Sequence, residues 1–159
     1  MNVSSIPRDP QRPRIDFHSK VSDQLLYTCR LIRKALTTQC QVVVRHQDSQ
    51  QQSQLDHLLW AFSDSDFLPH VVLDSSGTHV LARHTPVLLC VLDQAIQRYP
   101  QQDHSQILIN LGTTTPSTFT DYDRLIEIVP REAQATEAGR VRYRFYQQHG
   151  YPLNHITAK

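Results

Sequence analysis

Apolar positions along this chain recur with two periods. Val21, Leu25, Cys29, Ile32 and Leu36 fall at spacings of three and four, which predicts a first helix over about Ser22–Leu36 with Asp23 in its favourable first turn. Cys40–His46 (`CQVVVRH`) is β-branched and uninterrupted, the pattern of a central strand covered on both faces. A glutamine-rich stretch follows at Gln47–Gln54, read as polar surface at the start of the next helix. Leu55, Leu58, Leu59 and Phe62 then define the inner face of a second helix, with Ser53 and Asp56 as its expected capping box. Ser63–His70 leaves that helix, and Leu73–Thr85, with Gly77, reads as a loop with an edge strand. Pro86–Leu92 and Gln106–Gly112 are strand-like, separated by a short helical segment that exits at Pro100. Ile15–His18 is a brief strand candidate, and Arg124–Pro130 is expected to be the last strand. Pro130 opens the final helix, and Gly150 stops it. Strands alternating with helices in this way predict an α/β fold: one three-layer domain with a largely parallel central sheet, Rossmann-like in outline.

Composition narrows the chemistry. The 159 residues are 39% hydrophobic and 19% charged, which suits a single globular domain. Residues 1–14, with Pro7, Pro10 and Pro13 and few apolar anchors, read as an extended or mobile leader ahead of a domain over 15–159. No stretch approaches the roughly 18 apolar residues of a membrane span, and the N-terminus lacks a secretory signal's apolar centre. Cys29, Cys40 and Cys90 are an odd number without a CxxC, which favours reduced thiols and a cytoplasmic location. The four glycines, Gly77, Gly112, Gly139 and Gly150, form neither GxGxxG nor a Walker loop, so no phosphate-binding turn is expected. The histidines are scattered without HxxxH or HxH spacing, Ser75–Gly77 lacks a nucleophile elbow, and Asp64 and Asp66 read as turn caps. No metal, cofactor or catalytic residue is assigned.

The informative stretch is Arg131–Tyr151 (`REAQATEAGRVRYRFYQQHGY`). Arg140, Tyr143 and Arg144 lie at i, i+3 and i+4 and share a helix face, while Arg142 and Tyr146 pair on the adjacent one. Tyr146 and Phe145 are candidates for core. From Arg131 onward five basic and two acidic residues give +3, against +1 for the whole chain. Arginine beside tyrosine offers a carboxylate fork and an apolar platform, suited to a small acidic feature of a protein partner. Trp60 lies about 100° off the apolar stripe of its helix. With Phe67, Leu68 and Pro69 just downstream it suggests a second contact surface.

These segments resemble the chi subunit of bacterial DNA polymerase III holoenzyme, a clamp-loader accessory protein. The similarity rests on `LDHLLWAFSDSDFLPH` (Leu55–His70), `ILINLG` (Ile107–Gly112), `RLIEIVP` (Arg124–Pro130) and `GRVRYRFYQQHGYPLNH` (Gly139–His155), in that order, within about Ile15 to the C-terminus. The resemblance implies a three-layer α/β fold without a phosphate loop, and a DNA-replication adaptor rather than an enzyme. One surface would bind the psi subunit and through it the clamp-loader complex. Another would bind the acidic C-terminal tail of single-stranded DNA-binding protein. By position, the tail-binding residues fall on Val129, Arg140 and Tyr143, with Arg144 in a supporting basic role. A lysine of that pocket, one turn before Arg140, is Thr136 here. The psi-facing surface falls on Trp60 and Phe67 with Pro69, and a helicase is a further candidate partner there. Two other classes compete: a small α/β hydrolase or nucleotide-using enzyme, supported by Gly77 and the histidines, and a direct single-stranded nucleic-acid binder stacking bases on Tyr143 or Tyr146.

Overall fold

The computed structural model describes residues 12–62, 68–74, 81–92 and 106–158. Asp64, Asp66, Phe67, the Ser75–Gly77 stretch and the helical segment expected before Pro100 lie outside them. Strand β1 (Arg14–Val21) starts one residue earlier than the pattern placed it and runs three residues further. Helix α1 (Gln24–Leu36) follows, then β2 (Gln41–His46), α2 (Ser49–Ala61), β3 (His70–Val72), β4 (Val87–Val91), β5 (Gln106–Asn110), β6 (Arg124–Pro130), α3 (Ala133–Gln148) and β7 (Leu153–Thr157). The sheet has seven strands in the order β3-β4-β2-β5-β6-β1-β7, and every pairing in it is parallel.

Several expectations are corrected at element ends. Asp23 is not inside the first turn of α1 but caps it, accepting from the Leu26 N–H at 3.1 Å. Helix α2 begins at Ser49, with the glutamines in its first turns as expected, but its cap is Asp48, accepting from the Gln51 N–H at 2.8 Å. The Ser53/Asp56 capping box is therefore wrong, since a true N-cap needs orphan N–H groups that mid-helix positions do not have. Asp56 pairs instead with His70, Oδ1 to Nε2, at 2.8 Å. The edge strand expected within Leu73–Thr85 is β3, just before it. Arg124–Pro130 is not the last strand, because β7 pairs with β1 beyond it.

Alternation along each strand sorts the core onto two faces. Val42, Val44, Leu89, Ile107, Ile109, Ile126 and Ile128 pack under α1 and α2, against Cys29, Ile32, Leu55 and Leu59. Ile15, Phe17, Val43, Leu108, Leu125 and Val129 pack under α3, against Tyr146 and Tyr143. The result is the three-layer α/β architecture, Rossmann-like in outline.

A polar chain runs through the second of these faces. Glu127, fully buried in the middle of β6, accepts from Arg142 Nε at 2.9 Å and from the Tyr146 hydroxyl at 2.8 Å, both on Oε2. Its Oε1 accepts from Asn110 Nδ2 at 2.7 Å. Asn110 Oδ1 in turn accepts from Arg45 Nη1 at 2.8 Å, and Arg45 also donates to the Thr114 carbonyl and hydroxyl. Burial pushes the Glu127 carboxyl above its usual pKa, opposed by the Arg142 charge and the three donors. Burial and the same carboxylate push the Tyr146 hydroxyl up as well. The apolar ladder alone would let α3 slide or roll on the sheet. This chain fixes its rotation by side chains one turn apart.

Glu127→Gln is expected to destabilise the protein by about 3–5 kcal/mol, the scale for leaving a buried charge without its partner. The amide would turn a donor toward groups that are themselves donors, and Arg142 would keep its charge in the interior. Urea unfolding measures this, and a loss below about 1 kcal/mol would mean that the network contributes little to holding the helix.

Candidate protein-interaction surfaces

Helix α3 carries the arginine–tyrosine stretch, and its seating follows from one small residue. A Cβ on Gly139 would come within 3.0 Å of Val129 Cγ1, so the helix rests directly on the end of β6. At the other end Gly150 adopts φ +75°, and the N–H of Tyr151 donates to the Tyr146 carbonyl at 3.1 Å, closing the helix. Gly139, Arg142 and Tyr146 form the buried face.

The rotation separates the three arginines by environment. Arg142, paired with Glu127, is interior, so it adds no charge to the outer surface. Arg140 is 64% exposed and touches Glu137 Oε2 through one long 3.4 Å contact. Arg144 is exposed, and Tyr143 between them is half-buried. The Tyr143 ring packs edge-on against Phe17 of β1 at 5.2 Å and stands 6.2 Å from His155 of β7. Val129 is almost fully buried beneath Gly139 and belongs to the cluster that Tyr143 covers. Val129, Arg140 and Tyr143 thus gather at one place, with Arg144 one turn further along. Thr136 lies one turn before Arg140, its hydroxyl donating to the Pro130 carbonyl at 3.4 Å. His155 was missed from the sequence, because it sits on a strand whose polar residues give no alternation. The core expectation holds for Tyr146, whereas Phe145 is 36% exposed and stacks on His149 at 4.3 Å.

Trp60 stands at the end of α2 and is 61% exposed, as its position off the apolar stripe predicts. Its ring lies 5.2 Å from that of His70, the first residue of β3, and Pro69 directly precedes it. Val72 on the same edge strand is also exposed, a neighbour that periodicity could not single out in a three-residue strand. Strand β3 is one edge of the sheet and β7 the other. Six strand spacings, roughly 29 Å, separate them, and α2 and α3 cover opposite faces.

A third location is the crevice beyond the ends of β2 and β5, where connections leave in opposite directions and Rossmann-type folds hold ligands. A cavity of about 250 Å³ lies there, lined by Gln47, Asp48, Gln51, Gly112, Thr113 and Arg142 among others. Three of its backbone donors are engaged within the protein. Thr113 N–H donates to Gln47 Oε1 at 2.9 Å, Gln47 N–H to Gln51 Oε1 at 2.8 Å, and Gly112 N–H to Asn110 Oδ1 at 3.0 Å. Gly112 provides close approach to Arg45 rather than a phosphate turn, since a Cβ there would lie 2.7 Å from Arg45 Nη1. Among the described residues no three His, Cys, Asp or Glu side chains are grouped to hold a metal ion. No helix among them is long and apolar enough to cross a membrane.

The order of these features along the chain is also that of a known family. Residues 13–154 match the family model of the DNA polymerase III chi subunit, HolC. The chain is 32% identical over 144 residues to DNA polymerase III subunit chi of Pseudomonas aeruginosa, covering 88% of this chain and 93% of that protein. It is 26% identical over 131 residues to the Escherichia coli K12 protein of the same name, covering 82% of this chain and 83% of that one. With nearly the whole domain matched, from the start of β1 into β7, the chain belongs to the DNA polymerase III chi subunit family.

Proposed function

We propose that this chain is a non-catalytic accessory subunit of DNA polymerase III that works in DNA replication as an adaptor, binding two protein partners on opposite edges of its sheet. Family membership supports the accessory role. The observation that carries the two-partner reading is the distance between an exposed aromatic at the β3 edge and an exposed arginine beside a half-buried tyrosine near the β7 edge. Under this reading Arg140, Tyr143, Val129 and Arg144 bind the acidic C-terminal tail of single-stranded DNA-binding protein. Trp60, Phe67 and Pro69 bind the psi subunit, which connects the chain to the clamp-loader complex. A helicase would meet the same Trp60/Phe67 surface.

The chemistry at the tail site follows from its geometry. Arg140 has most of its guanidinium in solvent and only one long contact to give up, so it is available to fork onto a terminal carboxylate. Tyr143 is held against Phe17 and offers its free face to the tail's last hydrophobic side chain. Val129 supports that platform from below. Arg144 acts at longer range on acidic residues upstream, an attraction that salt weakens. One anchor with a few screened charges corresponds to roughly micromolar affinity, about 8 kcal/mol. The engaged donors of the switch-point crevice speak against the nucleotide-using enzyme. The interior position of Arg142 and Tyr146 removes half of the stacking platform that a nucleic-acid binder would need.

Two experiments test this reading. A synthetic acidic peptide ending in a hydrophobic residue with a free carboxylate is expected to bind, and its amidated form to bind far more weakly. Arg140→Ala is expected to cost about 1.5–3 kcal/mol of peptide affinity with stability unchanged, as for a lost charge-assisted hydrogen bond. Equal affinity of the two peptides, or of wild type and variant, in calorimetry would remove the tail-binding assignment. Separately, Trp60→Ala is expected to weaken psi binding by roughly 2 kcal/mol and to leave tail-peptide affinity within about 0.5 kcal/mol. Trp60 is exposed enough for the variant to fold. Loss of peptide binding in a folded Trp60→Ala protein would contradict two separate surfaces.

A further inference from the structure

Among the described residues, strand β7 ends the sheet with no strand paired on its outer edge. On its inner side the Ile15 N–H donates to the Pro152 carbonyl at 3.0 Å, and the Ala158 N–H donates to the Ser19 carbonyl at 2.9 Å. A parallel ladder alternates, so Asn154 and Ile156 also turn their backbone groups toward β1. Leu153, His155 and Thr157 therefore turn their N–H and C=O groups away from the sheet. Residues Asn154–Thr157 are all exposed. Pro152 precedes the strand, but within Leu153–Thr157 no proline, aspartate, glutamate, lysine or arginine, and among the described residues no covering element, protects this edge, although such edges are normally blunted.

The edge is continuous with the arginine–tyrosine site. Leu153 and His155 stand opposite Ile15 and Phe17, so their side chains lie on the α3 face of the sheet. The His155 ring meets Tyr143 there and its Nε2 is 2.7 Å from Ser19 Oγ. Charge in this region is one-sided. Strand β7 carries no acidic residue, Lys20 follows Ser19 as an exposed residue, and Arg140 and Arg144 lie on the helix above. Among the described residues, the acidic contact on Arg140 is Glu137.

We propose that the acidic tail docks as an eighth strand on the open edge of β7, parallel to it. This rests on the tail-binding reading above and adds how the peptide is held. Direction follows from α3, which runs against the strands: Gly139 sits over Val129 at the end of β6, and Tyr146 reaches back to Glu127 in its middle. Arg140 is therefore toward the C-terminal ends of the strands and Arg144 one turn the other way. A peptide that places its terminal carboxylate at Arg140 and its upstream acids near Arg144 runs parallel to β7. Main-chain bonds to His155 and Thr157 supply sequence-tolerant affinity, and the side chains on the α3 face supply selectivity. A second copy of this chain would bring the same positive charges to the edge and is disfavoured.

The test uses the full chain and a synthetic acidic peptide ending in a phenylalanine with a free carboxylate. Two further versions carry N-methyl groups on alternate sets of backbone amides. One set is expected to weaken binding by roughly tenfold or more, through lost main-chain bonds, and the other by less than about twofold. At saturation, amide exchange is expected to slow at His155 and Thr157 and to stay unchanged at Asn154 and Ile156. If the parent peptide does not bind, the tail-binding reading itself fails. If it binds but both methylated sets weaken alike, or neither does, or the His155 and Thr157 amides gain no protection, strand addition is overturned. Protection of those amides without peptide, rising with protein concentration alongside a dimer mass, would assign the edge to a second copy and overturn it too.

Discussion

Glu127 is the group on which the rest of this structure turns. It brings a carboxylate into the middle of a parallel sheet, where burial is costly, and three donors from β5 and α3 compensate it. Two of those donors, Arg142 and Tyr146, are one turn apart on α3. Their engagement fixes which side of the helix is inside. Since Arg140 and Tyr143 are offset from that face, the same pairing sets them outward toward β1 and β7. A helix with three arginines and three aromatic rings could present several different surfaces. The buried carboxylate of Glu127 selects one.

Selection has consequences for charge. The +3 of the last segment is not all available at the surface, because the Arg142 guanidinium is neutralised inside. What remains outside is a small positive site, with Arg140 and Arg144 flanking one ring, rather than a continuous basic stripe. That favours a short acidic ligand over a polyanion, whose binding depends on neutralising many phosphates together. Among the described residues the opposite edge carries Trp60, Pro69 and the His70–Asp56 pair instead of two exposed arginines. Two surfaces of different chemistry, apart by most of the sheet's width, suit a chain that connects partners.

The layered α/β fold was legible because its strong signals are local. `VVV` in β2, `ILIN` in β5 and `LIEIV` in β6 are long apolar runs, and the stripe of α1 keeps a 3–4 spacing throughout. Element ends were less legible, since Asp23 and Asp48 act through caps whose register depends on where the chain turns. Strand β7 escaped because an edge strand buries only Leu153 well enough to leave a pattern, and with it went His155. Of the candidate surfaces, the outward phase of Arg140 and Trp60 was readable from the helical period, and both are exposed, while Tyr143 is half-buried. The inward role of Arg142 was not readable. Nothing local in `GRVRYRF` says that a carboxylate fifteen residues earlier faces it across the layer.

The most direct test is a map of peptide-induced amide and side-chain chemical-shift changes over the whole domain. On titration with the free-carboxylate acidic peptide, the changes are predicted to centre on Arg140, Tyr143, Arg144 and His155, while the Trp60 indole N–H stays unmoved. Changes centred instead on Gln47, Gln51 and Gly112 at the switch-point crevice, or on Trp60, would contradict the account.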